Sequence, residues 1–448
     1  VSPGRGKALL ATADAIAAAS DPVLPATAEL DPDNPRSCIY RIPLLRCTAN
    51  GHFVMFKDVP TEYEEKWAAV NNVITRWLVE AVASGIDTAI ATAARWFFAR
   101  SVLFLRRKRG GLRGRASVGA RLDAFLRGDF EGVVASWRAD VDSAPDTPRR
   151  RALSSKVDTA VKLVRDFEIA KAVNLLNSLG VADANLPVVR AQADSKHPRR
   201  AHAIHADWRD YIDLVAVPEG ADSVAQNVLD LKLGAQRMPR RKAAGVTAIR
   251  NEHVRSLAGV FDDVVAQKAI GTYSEFASLC VNAKMPAWFY SLLAINRLVM
   301  PWKKVPPPGE VPDCRPVAVP QSDRVAMERA LFKAAEEDHA SYLGSQQLGV
   351  GVKNGISLLI FRLRGMMELH PDFVFVSLDT RNAHNEFSRD MCLRAYGAIP
   401  SLAHLVPYMH SVFAIRALVQ AGDGWLNRRS EEGGAQGAPG SSPEYCVT

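Results

Sequence analysis

The sequence predicts an α+β chain: a mainly helical N-terminal region, then a C-terminal part mixing short helices with strand and turn signals. Three observations predict it. The 448 residues are 48% apolar and 23% charged, the balance of a folded globular protein. Apolar residues recur at helical spacing from Trp67 and again between Ser155 and Leu179. The last hundred residues bring Gly-rich turns and the apolar run Phe373-Val374-Phe375-Val376-Ser377-Leu378, which has strand length and strand composition.

Residues 1–60 are rich in Ala, Pro, Asp and Asn, with breakers from Asp31 to Pro35, and read as an N-terminal extension, partly disordered. Trp67, Val70, Ile74, Trp77 and Ala81 share one helix face. The apolar stretch Trp77 to Leu105 is interrupted by Glu80, Asp87, Arg95 and Arg100, so it reads as a helix of a globular protein and not as a membrane span. Arg100, Arg106, Arg107, Lys108, Arg109, Arg113 and Arg115 follow with no acid among them. Such a cluster repels itself unless phosphates neutralise it, so it is a candidate nucleic-acid contact; a solvated basic loop or a nuclear-import signal is the alternative.

A helix is expected from about Ser155 to Leu179, with Ser155 and Asp158 as a capping pair and Gly180 as its stop. Further basic patches stand at Arg149 to Arg151, at Lys196 with Arg199 and Arg200, and at Arg237 with Arg240, Arg241 and Lys242. A helical block is expected from Tyr273 to Val299, and the proline-rich Val305 to Pro312 must be extended. Ile356, Leu359, Ile360, Leu363 and Met367 form an amphipathic helix ending before Pro371. The run from Phe373 is read as a buried strand that delivers Asp379 at its carboxyl end, and Gly422-Asp423-Gly424 as a hairpin tip.

The net charge of +8 favours nucleic acid or another anionic partner. Cys38, Cys47, Cys280, Cys314, Cys392 and Cys446 are too scattered for a disulfide framework, which fits a reducing compartment. With no targeting signal visible, the expected location is nuclear or cytoplasmic, not secreted, with no membrane partner. His202 and His205 have half the spacing of a zinc site but lack companions. Asp379 in isolation reads either as a cation ligand or as the N-cap of a helix from Asn385 to Tyr396.

Five blocks occur in an order that resembles the reverse transcriptases of non-LTR retrotransposons. They are Ala244 to His253, Cys314-Arg315-Pro316-Val317-Ala318-Val319, Gln347 to Gly355, Ser377 to Asn385 around Asp379, and Glu432 to Gly440 with its Gly434-Ala435-Gln436-Gly437 loop. The resemblance covers Arg237 to Thr448 best. It implies right-hand polymerase fingers over residues 216–370 and an incomplete palm over 371–448, behind a helical basic region at 61–215. It further implies an RNA-directed DNA polymerase whose partners are an RNA template, a DNA primer and deoxynucleoside triphosphates. Asp379 and the carbonyl of Thr380 would hold two magnesium ions, and Arg315, His384, Gln436 and Gly437 would meet the nucleotide. For Arg315 an ion pair with Asp313 or Glu310 is the alternative role.

The departures are specific. His384 stands where the family carries an aromatic residue that shields the sugar 2′ position, and Ala438 stands where it carries Asp. The sequence ends twelve residues after Gln436, before any Tyr/Phe-x-Asp-Asp motif, so these residues are expected to extend no primer on their own. The alternative reading is a noncatalytic RNA- or DNA-binding remnant or scaffold.

Overall fold

Helix α1, Glu64–Ser84, buries Trp67, Val70, Ile74 and Ala81, as the spacing predicts, together with Leu78, while Trp77 is half-buried; the helix ends at left-handed Gly85. That break divides the long apolar stretch, whose remainder is α2, Asp87–Phe104, buried almost all round from Ile90 onwards. The computed structural model describes residues 35–41, 55–106, 112–142, 154–165, 169–212, 227–258, 264–304, 307, 313–380, 382–422 and 424–448. The architecture is α+β. Among the described residues no helix is long and apolar enough to cross a membrane.

Helices α3, Leu112–Leu126, and α4, Phe130–Asp142, close over α1 and α2 around a ring cluster of Trp77, Trp96, Phe125 and Phe130, with centroids 5.3–6.4 Å apart. The expected N-terminal extension is partly built into this core: the 3-10 turn Pro35–Arg41 buries Cys38 and Ile39. The helix expected from Ser155 to Leu179 is instead two helices, α5, Ser154–Arg165, and α6, Ile169–Asn177, which pack on each other. Next come α7, Pro187–Ser195, α8, Leu231–Gln236, and α9, Asn251–Arg255. Helix α10, Val264–Val281, lies along α1, so helices some 200 residues apart share one core.

The expected helical block to Val299 ends early. Helix α11, Ala287–Leu293, gives way to strand β1, Asn296–Val299. The reason is visible in the burial: Asn296 and Leu298 face inward while Arg297 faces out, a period-two alternation too short to register beside a helix. Strands β2, Trp302–Lys304, and β3, Asp313–Cys314, form a small ribbon. Strand β4, Val317–Val319, runs antiparallel to β1 with Arg297 opposite Val319. After α12, Ser322–Ala334, α13, Glu336–Leu343, and α14, Gly355–Leu369, come the short helices α15, Ala383–Glu386, α16, Arg389–Gly397, and α17, Val406–Phe413. Strand β5, Val419–Ala421, lies parallel to β1, and β6, Gly424–Trp425, completes the expected hairpin and the sheet order β4-β1-β5-β6. Helix α18, Ser441–Val447, follows the Gly-rich loop.

Two expectations fail in the same place. The run from Phe373 to Leu378 is not a buried strand: it is unpaired, and Val374 and Leu378 are 86% and 91% exposed. An apolar run identifies a segment that wants neighbours, not which neighbours it has. Among the described residues the sheet is built from other segments, and Phe373 N–H makes only a turn bond to the His370 carbonyl at 3.0 Å. The amphipathic helix before it, α14, spans the expected residues, yet Ile356, Phe361 and Met367 are also exposed. Asp379 does not cap the following helix: that helix is broken into α15 and α16, and Ser388 Oγ caps α16 by accepting from Met391 N–H.

Candidate functional site

The five sequence blocks meet around the Gly-rich loop and α18. Gly433, at φ +64°, brings its Cα so close to the α15 turn that an added Cβ would lie 2.3 Å from the His384 carbonyl oxygen. Only glycine fits that approach. The Gly433 and Gly434 amides then donate to the Phe387 and His384 carbonyls at 2.9 and 2.8 Å. His384 Nδ1 stands 3.0 Å from Ser441 Oγ, and Tyr445 Oη donates to Thr380 Oγ1 at 3.1 Å. The Asp379 block is thereby tied to the loop at His384, and to the helix that follows the loop at Thr380 and His384.

On the other flank, Gly437 N–H donates to the Ala318 carbonyl at 3.1 Å, so the loop lies against β4, two residues past Arg315-Pro316. Gln347 Nε2 donates to Cys446 Sγ at 3.3 Å, which anchors the third block on α18. The first block reaches the same region from below. Gly245 lies against the turn after β4, where an added Cβ would sit 2.8 Å from Gln321 Cα and from the Pro320 oxygen. Ser322 Oγ, in the first turn of α12, donates to the Ile249 carbonyl at 3.0 Å.

Within this arrangement Gln436 and Gly437 are exposed at the tip of the loop, and His384 is half-buried with its ring 6.2 Å from Tyr445. Arg315 is exposed and makes no ion pair among the described residues; Asp313 lies 3.6 Å from Lys303 instead. Asp379 and Thr380 are exposed at the end of the unpaired segment. The structure thus joins Thr380, His384, Gly437 and the strand after Arg315 through backbone and side-chain bonds, with Gln436 next to Gly437 in the loop. Among the described residues no group of three His, Cys, Asp or Glu could hold a metal ion. One exposed carboxylate does not fit a pair of magnesium ions, whose mutual repulsion needs several oxygen ligands to offset it.

The basic cluster after α2 needs correction at its start. Arg100 is buried, donating to Asp323, to Asn71 Oδ1 at 2.9 Å and to the Phe97 carbonyl at 2.6 Å. Arg106 is buried too: its Nε contacts Asp140 at 2.6 Å and its Nη1 donates to the Val102 and Leu103 carbonyls. Neither guanidinium is available to a phosphate. A run of basic residues reads as solvent-facing, but Arg100 lies on α2, which is buried almost all round, and Arg106, two residues past its end, is packed against Asp140 of α4. Arg115 is exposed, 3.9 Å from Glu62. Arg113 lies within α3, its side chain not described, and Arg107, Lys108 and Arg109 fall outside the described residues.

The buried acids beside the site are occupied structurally. Glu432 accepts from the Ala201 and Arg389 amides at 3.0 and 2.9 Å. Glu328 accepts from Arg324 at 2.7 Å and Tyr408 at 2.9 Å. Burial, then the nearby Glu328 charge, pushes the Glu444 carboxyl up to about 8 against the pull of Arg324 and Arg389.

Two positioning residues carry more of the site than their sequence context signals. Arg389 spreads its guanidinium over the carbonyls of Gly433, Ile415 and Ser430 at 2.8–3.1 Å, fixing the loop from beneath. Burial, then the Arg200 charge, pushes its pKa down, while Glu432 opposes the shift. Nothing in the sequence marks Arg389. Lys196 is visible in the sequence as part of a basic patch, but its role is not: its carbonyl accepts from Asn382 Nδ2 at 3.0 Å while its Nζ donates to the Cys314 carbonyl. Of the histidine pair, His205 is turned to Arg394, with Nε2 2.9 Å from Arg394 Nη2. No family model matches the chain, and no curated protein matches it.

Proposed function

We propose that this chain is a nucleic-acid-binding member of the reverse-transcriptase type of polymerase, holding fingers and part of a palm. By this reading the described residues grip template and primer without catalysing nucleotidyl transfer themselves. The observation that carries the reading is the convergence of the five blocks: their order resembles that family, and packing supports a shared purpose. An exposed Gln436 and Gly437 beside the strand that follows Arg315 leave backbone and a guanidinium open to a triphosphate or a phosphodiester. Right-hand polymerase architecture, the RNA template, the DNA primer and the deoxynucleoside triphosphates all belong to this proposal.

The noncatalytic part rests on Asp379. A two-metal transfer needs both ions held against their mutual repulsion, and among the described residues no group of three His, Cys, Asp or Glu could hold a metal ion. Two assays test the reading: binding of a labelled primer–template, and extension of that primer with magnesium and all four deoxynucleotides. Salt-sensitive binding with no extension is expected. Extension abolished by Asp379→Asn would overturn the noncatalytic part, and absence of binding at low salt would overturn the whole.

A further inference from the structure

Five arginines, Arg199, Arg200, Arg416, Arg428 and Arg429, line one cavity of about 510 Å³ with Glu431 as its lining acid. Five positive charges less one negative leave +4 in the cavity; the nearby Asp194, bonded to the Arg428 amide at 3.0 Å, and Glu432, whose charge acts on Arg200, lower this to +2. His197 adds no charge near neutral pH, because burial pushes its pKa below the ordinary 6.5. We propose that this cavity is a phosphodiester-binding cleft that takes consecutive phosphates of a nucleic-acid strand, independent of base sequence.

The arrangement separates support from contact. Arg200 is spent on the wall, donating to the Phe413 and Ala414 carbonyls at 2.6 and 3.2 Å, and its amide donates to Glu431 Oε2 at 3.1 Å. Arg199, Arg416 and Arg428 are exposed. Arg416 stands 4.0 Å from Glu431, a loose surface pairing that a phosphate would readily displace, and Arg428 holds the His197 carbonyl through one nitrogen at 3.3 Å, leaving the rest of its fork open. No aromatic ring other than His197 lines the cavity, so it offers no platform for stacking bases and recognises the backbone alone. The cleft also adjoins the motif site: its wall at 197–200 continues directly from Lys196, which holds Asn382 and the Cys314 carbonyl.

The inference rests on the nucleic-acid reading above, and the test separates the two. Anisotropy of a labelled 20-nucleotide single-stranded RNA is titrated at 50–200 mM salt with the full chain and with an Arg199→Gln/Arg416→Gln/Arg428→Gln variant. A second variant, Arg76→Gln/Arg127→Gln/Arg165→Gln, removes the same charge from exposed positions outside the cavity. Expected are a loss of about tenfold or more in affinity at low salt and a log–log salt slope shallower by about two for the cleft variant, at roughly 0.7 for each phosphate that is no longer neutralised. The control variant should keep the slope of the unaltered chain. No binding by the unaltered chain overturns the nucleic-acid reading itself. Binding with the same slope in both variants leaves that reading standing and overturns the cleft. Inorganic tripolyphosphate displacing the RNA at equal phosphate concentration would overturn the strand as the occupant, in favour of a free polyphosphate.

Discussion

Asp323→Asn is the substitution from which most can be learned. Asp323 is fully buried in the first turn of α12, where its Oδ1 accepts from Arg100 on α2 and from the Tyr273 hydroxyl on α10. Arg100 is itself 1% exposed, with Asn71 and the Phe97 carbonyl as its other acceptors and its guanidinium 3.9 Å from the Phe97 ring. Asparagine keeps the shape but removes the charge, stranding a guanidinium in the core. Breaking a buried pair in this way costs about 3–5 kcal/mol. For 448 residues the unfolding entropy is on the order of 0.9 kcal/mol/K, so the melting temperature should fall by about 3–5 °C. Calorimetry or circular dichroism melts report it, and the double variant Arg100→Met/Asp323→Leu, with neither charge left, should recover most of the loss. A single variant within about 1 °C of the parent, or a double variant worse than the single, would refute the assignment of this pair as the tie between the helical region and α12.

Three further outcomes are expected. Gly245→Ala drives a methyl into the Gln321 backbone and should cost about 1–3 kcal/mol, read in denaturant melts; an unchanged midpoint would show that the first block does not lie against this turn. Between about pH 4.5 and 8 the folded chain keeps a proton on Glu444 that the unfolded chain releases, so stability should fall as pH rises through that window. Glu444→Gln should flatten that slope, and melts at pH 5.5 and 8.5 that differ equally for both proteins would contradict it. Brief chymotrypsin treatment should cut first after Phe373, Phe375 or Leu378, as their exposure predicts; first cuts at Phe97 or Phe104 would refute the exposed conformation.

What can be read from the sequence follows from the range of each signal. The Trp67 face is legible because helix periodicity is local, and the hairpin at Gly422 because turn chemistry is local too. Arg100 misleads because its partner lies 223 residues away, and a one-dimensional pattern of charge carries no trace of it. The Phe373 run misleads for a related reason: strand composition does not supply a strand to pair with. Block order is legible, whereas the bonds that join the blocks are not. That Gly433 and Gly437 approach His384 and Ala318 cannot be read from the sequence.

The role of the Gly-rich loop as the meeting point has a consequence for synthesis. Arg315 leaves the ribosome 122 residues before Gly437, which at about 5–20 residues per second is an interval of roughly 6–25 s. Throughout it β4 has no loop against it, the Ser377 to Asn385 segment has no Tyr445 or Ser441 to hold it, and Arg389 has no Gly433 carbonyl to grip. The helical core around Trp67 and Trp96 can consolidate while the chain is still growing, but the site cannot form until residues 433–446 exist. Its assembly is therefore a late, long-range closure, most exposed to misassembly when translation pauses between the two.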